Sequence, residues 1–317
     1  MDSIIIKKEI QKGKKKITEE KEVKLKEDGK RLDIPNIPNM DVIVGLDKCV
    51  ELEELRFSMG PIPEIKGLEN LTNLKRLHLN NQRLSEIKGL DKLVNLEILH
   101  LEQNDITSLK GLENLVNLKE LIINFNKIEE ITGLENLTNL KKLDLKKNNI
   151  SELKGLKNLT NLEELIITLN KISELKGLDS LTNLKGLWIT DNKINELKGF
   201  DNLKNLEKLY LGANEINEIK GLENLSNLTH LGLDVNKIKE IKGLENLTRL
   251  TELRLERNLI AEVKGLENQE SLEKLNLGKN NLPDNLIKAL GGIDGNGWIK
   301  APLEHVKYSK TGELPSY

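Results

Sequence analysis

Two histidines, His78 and His100, are the side chains best suited to metal or acid–base chemistry, and they lie 22 residues apart. Glu102 and Glu120 follow them, and imidazole together with carboxylate is a ligand set that zinc accepts. The guanidinium of Arg76 stands beside the pair and would repel a bound cation. We therefore expect no metal here, and we interpret both histidines as the basic or pH-sensitive rim of a contact surface.

The chain contains no complete sequence motif for nucleophilic catalysis or for phosphate binding. The single cysteine, Cys49, cannot form a C-x-x-C pair, and the sequence contains no H-E-x-x-H, no G-x-S-x-G and no Walker loop. His230 has no nucleophile at a motif spacing. The glycines of residues 291–297 follow no predicted strand and lead into no G-K-[ST] helix, so they predict a turn. We expect a protein that is not an enzyme and carries no cofactor.

The histidines belong to a 22-residue unit that repeats eleven times without an insertion or a deletion. Within the unit the segment x-L-x-L-x alternates apolar and variable residues, which predicts a short half-buried strand with its leucines inward. One such strand cannot bury its own face, so stacked units must share a continuous core. The segment G-L-x-x-L then returns the chain through a 3₁₀ or short helical turn. The first leucine of the unit recurs at Leu52, Leu74, Leu96, Leu118, Leu140, Leu162, Leu184, Leu206, Leu228, Leu250 and Leu272.

Two columns of polar residues support this stacking. The ninth position is asparagine in nine units, from Asn104 to Asn280, and its amide can satisfy the backbone groups of a buried turn. Gly60 and Gln82 replace it in the first two units, where we expect looser turns. The second position alternates in charge along most of its length, so that neighbouring side chains about 5 Å apart attract one another.

The composition restricts the partners and the compartment. With 49 basic and 51 acidic residues the net charge is −2, which gives no overall field to attract nucleic acid or an anionic membrane. No apolar run reaches the length of a transmembrane helix, and the N-terminus offers no signal-peptide core. A single cysteine excludes an internal disulfide framework and favours a reducing compartment. We expect a monomer in the cytoplasm.

The repeats divide the chain into three parts: a basic N-terminal arm and cap over residues 1–44, the eleven units over 45–282, and a C-terminal cap over 283–317. Apolar residues flank the turn signal at residues 27–30, which suggests a β-hairpin in the arm. The end of a solenoid exposes core leucines and needs a cover. At the C-terminus we expect that cover to come from Trp298, Leu303, Val306 and Tyr308.

Apolar side chains gather at outward positions in units four to eight, where the repeat does not require them. Exposed tryptophan and tyrosine are common interface anchors, and an apolar patch rimmed by charge marks a contact surface. Asp144 interrupts the patch and would fix the orientation of a partner, while His78 and His100 lie at its rim. The alternative is that these side chains pack only on one another. The apolar members are Ile122, Phe125, Ile166, Leu169, Trp188 and Tyr210.

Over residues 45–282 the consensus L-x-x-L-x-L-x-x-N-x-I-x-x-I-x-x-L-x-x-L-x-x resembles the 22-residue subclass of leucine-rich repeats. That subclass includes the regulatory subunit of type-1 protein phosphatase and the internalin adhesins. The resemblance implies an α/β solenoid with a parallel sheet on its concave face, 3₁₀ or short helical turns on its convex face, and protein recognition rather than catalysis. The segments 184–192 and 206–211 look like the aromatic strands of the phosphatase regulator, which implies a phosphatase catalytic subunit as partner. The internalin resemblance implies the alternative, a structural or surface adhesion solenoid.

Overall fold

Both halves of the protein are parallel β-solenoids. The computed structural model describes residues 3–12, 15–26, 29–289, 291–299 and 306. Its contacts divide the chain into two compact units, Met1–Asn149 and Ile150–Tyr317. The first unit carries five turns of the repeat and the second carries six, each with one short strand. The predicted leucine-rich-repeat solenoid is therefore confirmed, and within the described residues no helix has the length and apolar character needed to cross a bilayer.

In the first unit, the third strand and the fifth to ninth strands follow one another in a parallel sheet. Two 3₁₀ helices, Met40–Val42 and Leu46–Lys48, precede the first repeat strand. The strands are β1 (Ser3–Lys12), β2 (Lys15–Lys24), β3 (Arg31–Ile34), β4 (Ile43–Val44), β5 (Glu54–Phe57), β6 (Arg76–His78), β7 (Ile98–His100), β8 (Glu120–Ile122) and β9 (Lys142–Asp144).

In the second unit, six parallel strands again pair in chain order, and one short helix follows them. These elements are β10 (Glu164–Ile166), β11 (Gly186–Trp188), β12 (Lys208–Tyr210), β13 (His230–Gly232), β14 (Glu252–Arg254), β15 (Lys274–Asn276) and α1 (Asp284–Ala289).

The N-terminal arm folds differently from our expectation. Strands β1 and β2, of ten residues each, pair with each other in the antiparallel direction. Strand β4 pairs with the other edge of β1 at Ile5 and Ile6. The hairpin that we expected around residues 27–30 is reduced to one antiparallel bridge between Lys26 and Arg31. The chain does not continue that bridge because β3 pairs in parallel with β5 instead. Residues 27 and 28 lie outside the described residues.

The repeat register is set by leucines and asparagines that face inward. Each central strand leucine is fully buried, and within each compact unit it lies opposite its counterpart 22 residues away, as Leu77 does opposite Leu99. Burying one leucine side chain contributes about 1.5–3 kcal/mol. Successive 3₁₀-type turns return the chain: the Leu71 N–H donates to the carbonyl of Leu68 and the Leu74 N–H to that of Leu71, at 2.9 and 3.0 Å.

The asparagine column satisfies the turn that follows each strand. In a typical unit, Nδ2 of Asn126 donates to the carbonyls of Ile123 and Leu101, while Oδ1 accepts the N–H of Ile106 at 3.0 Å. Gln82 replaces asparagine and donates from Nε2 to two carbonyls at 2.8 and 2.9 Å. Its buried Oε1 has no hydrogen-bond partner among the described residues. The turn at Gln82 therefore keeps the donor half of the pattern and loses the acceptor half.

The predicted charge column forms ion pairs between neighbouring turns. The Glu53 carboxylate accepts from Lys30 at 2.8 Å and from Lys75 at 2.9 Å. These hydrogen bonds lower the pKa of Glu53 to about 2. In the second unit Lys185 pairs with Glu163 at 2.8 Å. The exposed pairs support the register of the strands, although each contributes little to stability in water.

The C-terminal segment covers the edge of β15. The N–H groups of Leu277 and Gly278 donate to the carbonyl of Gly297, and the Ile299 N–H donates to that of Leu275. Trp298 forms an antiparallel bridge with Asn276. The glycine-rich segment thus acts as a turn that brings backbone donors and acceptors to the last strand. Val306 is buried, and Leu303 and Tyr308 lie outside the described residues.

Candidate functional site

The strand face of each of the two compact units consists of the outward side chains of its repeat strands together with those of the turn residues that follow. All nine residues of the predicted partner site lie on a strand face. His78, His100, Ile122, Phe125 and Asp144 belong to the first unit, and Ile166, Leu169, Trp188 and Tyr210 belong to the second.

The two histidines contact each other edge to face. Their ring centroids are 4.6 Å apart, the rings are inclined by 87°, and the two Nδ1 atoms are 3.1 Å apart. Burial, followed by the positive charge that His100 can carry and by the nearby Arg56, lowers the pKa of His78 to about 4. Nε2 of His78 is buried and has no hydrogen-bond partner among the described residues. His78 is therefore neutral at neutral pH.

Carboxylates flank the histidine pair on both sides. Oε1 of Glu120 lies 3.3 Å from Nε2 of His100, and Oε1 of Glu54 lies 3.7 Å from Nε2 of His78. Burial alone would raise the pKa of Glu54, but hydrogen bonds from Arg56 and Arg76 outweigh it and lower the pKa. No group of three or more histidine, cysteine, aspartate or glutamate side chains among the described residues is placed to hold a metal ion.

Phe125 and Asp144 lie in one corner of the same strand face, with opposite exposure. The Phe125 side chain is 36% exposed, and the ammonium groups of Lys147 and Lys146 lie 4.8 and 5.9 Å from its ring centroid. Asp144 is only 9% exposed. Its Oδ1 accepts the backbone N–H of Lys146 at 2.9 Å and its Oδ2 accepts Nδ2 of Asn124 at 2.8 Å. The Asp144 carboxylate is thus held inward by the protein's own donors.

The third residue after ten of the repeat strands has a left-handed backbone, which we did not expect from the sequence. In ten successive units, φ at this position lies between +51° and +59°. A residue with a Cβ atom is disfavoured there by about 1–2 kcal/mol, although asparagine and aspartate tolerate it. Phe125, Leu169 and Val235 nevertheless occupy the position with exposed side chains. The presence of Asn81 and Asp191 in the column is the one sequence signal that could have revealed it.

Trp188 and Tyr210 form a stacked aromatic pair on the strand face of the second unit. Their centroids are 6.1 Å apart and their planes differ by 17°. A Cβ atom on Gly186 would collide with the outer edge of the Trp188 ring, and one on Gly232 would lie 2.7 Å from Cδ1 of Tyr210. The two glycines therefore make room for both rings. Burial raises the pKa of the Tyr210 hydroxyl, so this group is neutral over the physiological range.

The neighbours of the aromatic pair extend it in both directions. Ile166 lies opposite Trp188 on the adjacent strand and is half-buried. On the other side, the guanidinium of Arg254 lies 5.5 Å from the Tyr210 centroid and 5.8 Å from that of Trp298. We expected Trp298 only to cover the last repeat, but its ring also faces a cation of the strand face. The structure thus joins five side chains of the second unit in one row: Ile166, Trp188, Tyr210, Arg254 and Trp298.

Comparison with known proteins places the repeats in a family. A family profile described as leucine-rich repeats in two copies matches residues 94–136, 182–226 and 226–268. An internalin (InlF) from Listeria monocytogenes is 28% identical, with a TM-score of 0.72 over 80% of this chain and 82% of that chain. Internalin C2 from the same species is 32% identical, with a TM-score of 0.51 over 55% of this chain and 76% of that one.

A leucine-rich repeat protein from Leptospira interrogans is 25% identical, with a TM-score of 0.58 over 78% of each chain. No curated protein matches the chain at the level of sequence. The profile match and these structures agree with the solenoid of repeated parallel strands described above. The chain is a leucine-rich repeat protein.

Proposed function

We propose that the chain is a non-enzymatic scaffold whose strand face binds a folded partner protein, with Trp188 and Tyr210 as anchors. The observation that supports this most directly is the stacked pair itself. Two half-buried aromatic rings stand on outward positions where the repeat needs no apolar residue. Buried tryptophan and tyrosine are the side chains that most often dominate binding energy at interfaces. Repeat solenoids present extended surfaces suited to such binding.

The remaining predicted residues take different parts in this proposal. In the second unit, Ile166 and Leu169 add apolar area to the strand face that carries the rings. In the first unit, Ile122 and Phe125 supply the apolar area of the strand face. His78 and His100 form a polar edge of the strand face in the first unit. Asp144 remains the charge that would orient the partner, and its oxygens are held in place by hydrogen bonds from Asn124 and Lys146.

The identity of the partner belongs to the proposal as well. A phosphatase catalytic subunit is the partner implied by the resemblance of the strands around Trp188 and Tyr210. We propose a monomer that acts in the cytoplasm. The second candidate is a structural or surface adhesion solenoid, and the similarity to two internalins favours it. Fractionation of the cells that produce the protein separates the two, because an adhesion solenoid would be found outside the cytoplasm.

The test is partner capture from native lysate with three versions of the protein. These are the wild type, a Trp188→Ala/Tyr210→Ala variant, and a control Val94→Ala/Val116→Ala variant that removes exposed apolar side chains elsewhere. We expect the wild type and the control to recover the same partner and the aromatic variant to lose it. Truncating an anchor at an interface weakens binding by about 2 kcal/mol or more, which is roughly thirtyfold. If the aromatic variant binds every recovered partner with unchanged affinity, the proposal is wrong.

A further inference from the structure

Lysines on the strand face of the first unit and on its edges are mostly paired with carboxylates. Lys75 pairs with Glu53 at 2.9 Å, and Lys119 pairs with Glu97 at the same distance. Lys146 and Lys147 differ, since neither makes an ion pair with any carboxylate among the residues that the structure describes. Two adjacent cationic side chains are therefore left without an ion-pair partner among the described residues of this face.

Two carboxylates of the same strand face, Asp144 and Glu102, accept hydrogen bonds from other groups. Asp144 accepts the backbone N–H of Lys146 and the amide of Asn124. Glu102 accepts from the amide of Asn80 at 2.8 Å and from that of Asn124 at 3.5 Å. These oxygens accept hydrogen bonds from neutral donors, and neither carboxylate makes an ion pair with Lys146 or Lys147. A carboxylate from outside the chain would find two donors of the right charge.

Phe125 lies beside the two lysines, and the ammonium groups of Lys146 and Lys147 both lie close to its ring. The ring is exposed, yet it sits on a backbone with φ of +55°, where an aromatic residue is disfavoured. Asn81 occupies the same position of its unit and shows that a polar residue suits the repeat. Ten units share this backbone conformation, so it is the choice of phenylalanine that distinguishes this unit from those with Asn81 or Asp191. The fold alone gives no reason for a phenylalanine here.

We propose that Phe125, Lys146 and Lys147 form a subsite for a protein segment in which an acidic side chain stands beside an aromatic or large apolar one. This inference rests on the proposed scaffold function and adds the chemistry of the partner. The ammonium groups bind the partner's carboxylate, while the Phe125 ring covers the adjacent apolar group. Ile122, half-buried on β8, extends the apolar surface toward the histidines. Charge complementarity thus selects an acidic partner at this corner.

The experiment measures binding to polymers of defined chemistry by biolayer interferometry. The probes are a random glutamate–tyrosine copolymer, polyglutamate, and single-stranded poly(dT). The variants are Lys146→Glu/Lys147→Glu, Phe125→Asn, and a control Lys92→Glu/Lys110→Glu that makes the same change of charge at exposed sites of the same unit. Phe125→Asn suits the left-handed backbone, so this variant should fold at least as well as the wild type, as a thermal melt will check.

We expect the lysine reversal to weaken copolymer binding at least about tenfold, and the control to change it less than about twofold. Phe125→Asn should weaken the copolymer about threefold or more and leave polyglutamate unchanged. Equal losses in the reversal and the control would overturn the subsite, because they would indicate a general charge effect. Tighter binding of poly(dT) than of the copolymer, or an unaltered copolymer affinity in Phe125→Asn, would overturn the acidic–aromatic chemistry.

These outcomes are separable from those of the scaffold proposal. The variants of the subsite leave Trp188 and Tyr210 intact, and the aromatic variant leaves Phe125, Lys146 and Lys147 intact. Loss of a lysate partner only in the aromatic variant, with copolymer binding independent of the lysines, overturns the subsite and supports the scaffold. Copolymer binding that depends on the lysines, together with partner capture that ignores Trp188 and Tyr210, supports the subsite and overturns the anchors.

Discussion

Acidification should destabilise the first unit through His78. The unfolded chain binds a proton on this imidazole near pH 6.5, whereas in the folded protein burial and His100 lower its pKa to about 4. The unfolded state therefore binds more protons between these values. Because the folded pKa is the lower one, the free energy of unfolding is not reduced by His78 above pH 6.5. It falls progressively as the pH decreases from 6.5 toward 4.

The size of the effect follows from these two pKa values. Between pH 7.5 and pH 5, a shift from 6.5 to about 4 corresponds to a loss of about 2 kcal/mol in the free energy of unfolding. The His78 side chain is 17% exposed, so solvent screening reduces this figure only modestly. Staying above pH 5 limits the contribution of carboxylates, whose titration lies lower. The charged groups facing His78 are His100, Glu54, Arg56 and Arg76.

Urea unfolding at pH 7.5 and pH 5 measures this loss in the wild type and in His78→Gln. The wild type should lose about 2 kcal/mol more than the variant, because glutamine has no proton to bind. His230→Gln is the control, since it removes a histidine from the strand face of the second unit and should keep the wild-type pH dependence. An identical pH dependence in His78→Gln and the wild type would refute the reasoning.

Two further predictions concern the left-handed positions. Val235→Asn should raise the free energy of unfolding by about 1 kcal/mol, because Val235 is exposed and has φ of +54°. Val116→Asn, at an equally exposed valine without positive φ, should bring no such gain; equal effects in urea unfolding would contradict the strain argument. Gly89→Ala should destabilise the protein by at least about 1 kcal/mol more than Gly67→Ala. Both glycines have nearly the same φ, +74° and +73°, but only at Gly89 would a Cβ atom lie 2.6 Å from the carbonyl oxygen of Ile65; equal thermal melts would contradict this.

The repeat architecture could be predicted from the sequence because it depends on the residue types and their period. A leucine every 22 residues without a shift requires that equivalent strands pair in register, and Leu77 lies opposite Leu99 accordingly. The asparagine column could also be predicted, since only a side chain with two donors and an acceptor satisfies so many backbone groups. The alternating charges predicted the ion pairs of Glu53 because neighbouring turns bring equivalent residues close together.

The N-terminal arm and the left-handed column could not be predicted in the same way. Strands β1 and β2 are rich in lysine and glutamate, so they lack the regular apolar alternation that identifies a half-buried strand. The turn signal at residues 27–30 indicated a reversal of the chain but not the partner of the strand after it. The sign of φ at Phe125 and Leu169 is imposed by the hydrogen bonds of the whole repeat, and neither residue type indicates it.

The candidate site was predicted by residue type, but its internal contacts were not. An outward aspartate looks available to a partner, yet Asp144 turns inward because Asn124 and a backbone N–H offer it donors nearby. Trp298 reaches Arg254 because the C-terminal segment returns to β15, and no repeat pattern covers that segment. Chain ends and short-range hydrogen bonds thus decide the contacts that the predicted residues make within the chain.

The glycines beside the aromatic pair bear on the affinity of the proposed site. Gly186 lies beside Trp188 and Gly232 beside Tyr210, each at a place where a Cβ atom would meet the ring. Glycine at both positions leaves room for the two rings to stack on the sheet before any partner binds. Immobilising a side chain on binding costs about 0.5–1.5 kcal/mol, and this ordering has already occurred on folding. A pair of aromatic residues on flexible loops would have to lose that side-chain freedom on binding, so a stacked pair on the sheet suits the proposed anchor.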